Sequence, residues 1–229
     1  MEGKNMGNYY ASKLNAMDLF QVYETGIPRV KQYLDAEIEF VSRGLKGKER
    51  LLELGAGYGR ILERLAPRAA ELVGVDISGD NVRFGCEYLK GAPNCHLVVM
   101  DAHFIEFESE FDVVLCLQNG LSAVKGDPGN IVRRSVRALV PGGRAFFSTY
   151  SENFWEHRLA WFMEQAGKGL LGEIDMEKTR DGKIVCKDGF TATTFLPEDL
   201  ERLGRLSGCE FRIDEVDSSS LLLILEKPA

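Results

Sequence analysis

The sequence has no apolar run approaching the roughly 18 residues that a membrane-spanning helix needs, and its first ten residues, MEGKNMGNYY, hold no apolar signal core. A cytosolic chain without a secretion leader is the expectation. Cysteine is sparse: Cys86, Cys95, Cys116, Cys186 and Cys209 are odd in number and form no CxxC pair. That points away from a disulfide framework and toward reduced, mostly buried thiols. The three histidines, His96, His103 and His157, make no metal-ligand spacing with them, so no metal site is expected. Positive charge is in deficit, 28 Lys and Arg against 35 Asp and Glu, for a net charge of −7. This disfavours broad electrostatic binding to nucleic acid or anionic membrane, although a local basic patch stays open.

What is present suffices for a folded domain. The 229 residues are 45% apolar, enough for one large domain with an elaborated cap. Residues 1–8 are polar and expected to be mobile. From Pro28 to Val41, Val30, Leu34, Ile38 and Val41 fall on one helical face, with Gly44 as a stop. Strands and helices then alternate: RLLEL, helix RILERLA, ELVGVD, helix DNVRFGCEYLK, CHLVVM, FDVVLCL, helix NIVRRSVRALV closed by PGG, and RAFFSTY. Such short apolar runs suit strands buried on both faces of a parallel sheet. After Tyr150 the pattern changes. A helix, NFWEHRLAWFMEQA, precedes a hairpin, KIVCKDGFTATTF, turning at Lys187-Asp188-Gly189. A helix opened by Pro197 and two antiparallel strands, EFRIDEV and LLLILEK, finish the chain.

The loop LLELGAGYGRI raises the question of a cofactor, since nucleotide phosphates, dinucleotides and S-adenosylmethionine all sit on glycine turns after a first strand. A P-loop needs GxxxxGK[ST], and no lysine follows Gly55 until Lys90. The dinucleotide fingerprint wants a small sixth residue; here it is Arg60. What remains is GxGxG, whose glycines let the backbone approach a ligand without side-chain collision.

With an acid two residues before it, LELGAGYG resembles motif I of the class I S-adenosylmethionine-dependent methyltransferases. The resemblance runs in order from Leu51 to Tyr150. It implies an α/β fold: a seven-stranded, mostly parallel sheet with its last strand antiparallel and helices on both faces. An N-terminal helical segment and a helix/hairpin insertion after the fifth strand complete it. It also implies an enzyme that uses S-adenosylmethionine and releases S-adenosylhomocysteine. Glu53, Gly55, Ala56, Gly57 and Gly59 would form the loop. Asp76, 19 residues after Gly57, would meet the ribose hydroxyls, and Ile77 the adenine face. Asp101 and Ala102 would meet the adenine edge; Leu117 and Gln118 would border the reacting methyl. Asp76 and Asp101 could equally cap helices.

Four regions follow: a helical lid over 1–44, a cofactor-binding core over 45–150, a substrate-cap insertion over 151–195, and closing elements over 196–229. Tyr9, Tyr10, Tyr23, Arg29 and Tyr33 lie in the lid, and in this family an aromatic residue or Arg there can touch the methionyl carboxylate. Tyr150, His157 and Glu173 are the catalytic candidates, although no motif fixes a catalytic set. The tip of the fourth strand reads Gln118-Asn119. It lacks both the acidic-Pro-Pro-aromatic signature of nucleic-acid amine methylators and the acidic pair of aminopropyl transferases. A small-molecule acceptor is therefore expected. Methylation of protein or RNA, and a non-catalytic partner subunit, are the alternatives. The oligomeric state is not legible.

Overall fold

Alternation of apolar runs and turns becomes nine strands among the described residues: Arg50–Leu54 (β1), Glu71–Asp76 (β2), Cys95–Val99 (β3), Phe111–Cys116 (β4), Leu139–Tyr150 (β5), Lys183–Val185 (β6), Thr191–Thr193 (β7), Glu210–Val216 (β8) and Ser220–Glu226 (β9). The structure is a computed structural model and describes Leu14 and residues 16–229. Expectations for residues 1–8, Tyr9 and Tyr10 lie outside the described residues. One sheet takes seven strands in the order β3-β2-β1-β4-β5-β9-β8, and β6 and β7 form a separate hairpin. β1 to β5 pair in parallel, while β9 runs antiparallel to both β5 and β8. The strand order reverses between β1 and β4, where the carboxyl ends of an open α/β sheet leave a crevice.

Eight α-helices cover the sheet among these residues: Ala16–Tyr23 (α1), Pro28–Arg43 (α2), Arg60–Leu65 (α3), Gly79–Tyr88 (α4), Gly120–Val124 (α5), Pro128–Ala138 (α6), Trp155–Gly167 (α7) and Pro197–Ser207 (α8). One apolar core joins α6 and α8 to the sheet through Ile131, Val132, Leu200 and Leu203. A second packs Ile61, Leu62 and Leu65 of α3 on Leu51 and Leu72. α2 is shared. Ile38 and Val41 belong to that second core, whereas Val30, Tyr33 and Leu34 belong to a third core with Trp161, Phe162 and the hairpin residue Ile184. The N-terminal helices and the insertion therefore share one interior. Arg158, 1% exposed, fastens α7 to the hairpin by donating to Gly182 O (2.8 Å), Thr194 Oγ1 (2.5 Å) and Ala192 O (3.1 Å).

Two local expectations change. β5 begins at Leu139 rather than after PGG: Phe111 pairs with Leu139 and Val113 with Arg144, so Pro141-Gly142-Gly143 forms an irregularity inside the strand. Gly142 makes this possible with a φ of 76°, and its N–H donates to Lys227 O. β3 is not buried on both faces. It is the sheet edge, and Val98 and Val99 are exposed.

Gly85 shows how tightly α4 sits against the glycine loop. A Cβ there would lie 2.2 Å from Leu97 Cδ1 and 2.7 Å from Tyr58 O. Alanine gains about 1 kcal/mol of helix propensity, but overpacking costs about 1–3 kcal/mol, and a backbone oxygen cannot rotate aside. Gly85→Ala is expected to be destabilising on balance, seen as a lower urea midpoint; an unchanged or raised midpoint would show that α4 yields freely.

Candidate active site

A cleft with about 890 Å³ of empty space, open to solvent, lies at the carboxyl ends of β1, β2 and β4. Its floor is the turn between β1 and α3. Gly55 and Gly57 have φ values of 70° and 57°, a region that disfavours side chains. The N–H groups of Gly55 and Ala56 both donate to Val75 O at 2.9 and 3.0 Å, which anchors the turn to β2. A Cβ on Gly57 would come within 2.9 Å of Leu19 Cδ2, so α1 seats directly over the loop. Gly59 is outside the lining. It is the left-handed N-cap of α3, pressed by Leu89.

Asp76 ends β2 and is engaged on both oxygens. Oδ2 accepts from Gly57 N (2.9 Å), and Oδ1 accepts from Ser78 N (2.8 Å) and Asn81 Nδ2 (3.1 Å). A carboxylate offers about four acceptor sites, so capacity for one more donor remains. Asn81 Oδ1 in turn accepts from Ala16 N at the start of α1 (2.7 Å). Asp101 caps a 3-10 turn by accepting from His103 N (2.9 Å). Ile77, Ala102, Leu117, Gln118 and Tyr23 also line the cleft.

An acid and a base, Glu53 and Arg60, both line it. Glu53, from the interior strand β1, is 3% exposed, and its Oε2 has no hydrogen-bond partner among the described residues. Burial pushes its carboxyl up to about 8; Arg60 pulls it back and Asp76 pushes it further. The Arg60 guanidinium sits 4.3 Å over the Tyr23 ring and donates from Nη2 to Gln118 Oε1 at 2.5 Å, while its Nε is buried without a partner among the described residues. Burial raises the Tyr23 hydroxyl, opposed by Arg60. A buried donor or acceptor left unpaired costs about 1–3 kcal/mol. Two such atoms on residues of one cleft fit a ligand with an ammonium and a carboxylate. Among the described residues, no group of three or more His, Cys, Asp or Glu is arranged to hold a metal ion.

Several sequence candidates sit elsewhere. Arg29 is bound to Asp217 through Nη1 and Nη2, both at 2.5 Å, and lies 5.1 Å over Phe154. It ties α2 to the β8–β9 turn. Tyr33 is fully buried, 5.4 Å from the Tyr150 ring and 4.9 Å from Phe154. Tyr150 is buried beneath Arg158 at 4.4 Å. His157 is exposed on α7 beside Phe154, and Glu173 is exposed and paired with Lys187 at 2.6 Å. None of these five lines the cleft. Sequence reasoning missed Arg60, Leu19 and Asn81. Arg60 was legible only as a residue too bulky for a dinucleotide turn; the usable signal was a long cation one residue after the last loop glycine.

A family model described as "Methyltransferase domain" matches residues 51–143. The ubiquinone biosynthesis O-methyltransferase of Hydrogenovibrio crunogenus is 32% identical over 177 residues, covering 75% of this chain. The chain spans 66% of that relative's own length, just under two thirds. Among solved structures, a protein of Pyrococcus horikoshii OT3 superposes with a TM-score of 0.65 at 20% identity, covering 98% of this chain and 100% of that one. The N-methyltransferase NodS of Bradyrhizobium japonicum WM9, in complex with S-adenosyl-L-homocysteine, gives 0.61 at 16% identity, covering 97% and 100%. At these identities the structural likeness speaks for the fold.

Proposed function

We propose that the chain, similar to methyltransferases over its core, is a class I S-adenosylmethionine-dependent methyltransferase that transfers a methyl group to an oxygen of a small-molecule acceptor. The single observation that carries the cofactor reading is the cleft itself. A left-handed glycine turn, Asp76 and Asp101 at strand tips, and two buried polar atoms without a described partner, Glu53 Oε2 and Arg60 Nε, converge there. The oxygen acceptor rests on the name of the Hydrogenovibrio relative. S-adenosylmethionine, when bound, supplies a methyl already activated on a sulfonium sulfur.

The chain's own work is then placement. Gly55 and Gly57 admit the ligand against the backbone, Asp76 accepts from a ribose hydroxyl, and Asp101 takes the adenine edge. Leu19 and Tyr23 on α1 exclude water from above. Tyr150, His157 and Glu173 stand outside the cleft lining, so alignment rather than a dedicated base is assigned most of the rate; well-oriented placement is worth up to about 7–11 kcal/mol. We assign the acceptor walls to residues 1–44 and 151–195, whose described parts share one apolar core. No helix among the described residues is long and apolar enough to cross a membrane. The five cysteines are free, which supports a reducing compartment.

The test is label transfer. The full chain, methyl-labelled S-adenosylmethionine and a cell extract are incubated, and small-molecule, protein and RNA fractions are counted. Label is expected in the small-molecule fraction, in a product with a new O-methyl group. Label confined to protein or RNA would overturn the acceptor class. Failure to bind either the cofactor or S-adenosylhomocysteine would overturn the function.

A further inference from the structure

Glu37 is an anomaly on α2: a glutamate with no exposed surface, on a helix whose inward face is otherwise apolar. Its Oε2 accepts from Gln118 N and Ser148 Oγ, each at 2.8 Å, and its Oε1 accepts from Ser220 Oγ. Those donors come from the tip of β4 and from β5 and β9, so one side chain of α2 binds three neighbouring strands. Among the described residues, no arginine or lysine is hydrogen-bonded to it. A buried carboxylate survives only with its acceptor sites filled, and here one donor, Gln118 N, belongs to the turn at the tip of β4.

That turn is strained. Gln118 and Asn119 are consecutive non-glycine residues with φ values of 54° and 61°, a conformation that persists only where the surroundings hold it. Glu37 holds the Gln118 backbone. Asn119 accepts from Thr149 Oγ1 (3.0 Å) and donates to Thr193 O on the hairpin (2.9 Å). The Gln118 side chain donates to Leu34 O (3.3 Å) and accepts from Arg60. Gln118 is thus the link between the N-terminal helix and the Arg60 guanidinium in the cleft.

Resting on the cofactor reading above, we propose that Arg60 receives the carboxylate at the amino-acid end of the cofactor. Glu37, which touches no ligand, is the positioning residue that holds Arg60 through Gln118. The planar guanidinium matches a carboxylate in fork geometry, and among the described residues one of its five donors is hydrogen-bonded, to Gln118 Oε1. Its place beside Glu53 leaves Asp76 and Asp101, at the other strand tips, for the nucleoside. The N-terminal segment therefore contributes to the amino-acid end indirectly, from within the core, rather than by an arginine of its own.

Calorimetry with two probes tests this on the full chain: S-adenosylhomocysteine, and 5′-methylthioadenosine, which lacks the amino-acid end. Arg60→Met should weaken S-adenosylhomocysteine by about 10–100-fold, the scale of a charge-assisted pair, while methylthioadenosine stays within about twofold. Methylthioadenosine binding also reports that each variant keeps a folded cleft. Glu37→Ala should lose S-adenosylhomocysteine affinity about tenfold, again sparing methylthioadenosine. Glu37→Gln should recover most of that loss, because its amide oxygen still accepts from Gln118 N. In the Arg60→Met background, Glu37→Ala should add nothing.

Equal weakening of both probes, or unchanged S-adenosylhomocysteine affinity in Arg60→Met, would overturn the carboxylate role. A full Glu37→Ala effect persisting in that background would overturn the positioning role. A wild-type protein that binds neither probe would overturn the cofactor reading, and this assignment with it. A wild-type protein that binds both probes, with every variant binding both as the wild type does, overturns this assignment alone.

Discussion

Asp76→Ala is expected to lower affinity for S-adenosylhomocysteine by at least about a hundredfold, close to 3 kcal/mol. The loss has two sources. The proposed ribose contact is a hydrogen bond to a charged acceptor, worth about 1.5–3 kcal/mol. In addition, the Asp76 carboxylate is the shared acceptor for Gly57 N, Ser78 N and Asn81 Nδ2. Its removal orphans three donors that shape the glycine loop and the start of α4, and through Asn81 it loosens the tether of α1. Asp76→Asn should fall between, since one oxygen still accepts while the new amide faces N–H donors. Titration calorimetry with both variants measures this. Affinity within threefold of wild type in Asp76→Ala would take Asp76 out of the ligand site.

The ligand-free protein should lose stability as the pH rises from about 4.5 to about 8, and Glu53→Gln should abolish that part of the loss. Burial raises the Glu53 carboxyl from an ordinary 4.5 to about 8 in the folded chain. Between those values the folded state holds a proton that the unfolded state has released. The unfolded state binds fewer protons there, so stability declines with pH. Below about 4.5 both states are protonated and the contribution is whole; above about 8 it is gone. At 1.36 kcal/mol per unit the ceiling is about 5 kcal/mol, and relaxation around the site should reduce it to a few.

Urea unfolding at pH 5 to 8.5 for wild type and Glu53→Gln provides the comparison. The wild-type advantage should shrink steadily with pH, and parallel curves would show that Glu53 does not titrate in this window. Glu37, also raised by burial, contributes in the same direction in both proteins and so drops out of the difference. A ligand ammonium beside Glu53 would favour the ionised form. Binding of S-adenosylhomocysteine near neutral pH should therefore release protons, visible as a dependence of calorimetric heat on the buffer.

The chain by itself determined whatever depends on neighbours a few residues away. RLLEL and ELVGVD are read with both ends in place as β1 and β2, and PEDLERLGRLS as α8, because apolar period, a Pro start and a Gly stop are local properties. GxGxG and the acids at strand tips follow from the same locality: once the strands are parallel, their carboxyl ends share one edge, and Glu53, Asp76 and Asp101 meet there without further information. Where a long side chain ends was decided by packing between distant segments. Arg29 and Arg60 are both cations near glycine turns in sequence, but Asp217 lies within reach of one and Gln118 of the other. Nothing local marks Glu37 as buried, since its three donors come from positions 118, 148 and 220. The left-handed turn at Gln118-Asn119 is equally silent in sequence, because neither residue is glycine. Its strain is held by bonds from α2, α3, β5 and the hairpin, and those contacts exist only after the sheet, the N-terminal helices and the insertion have closed on one another.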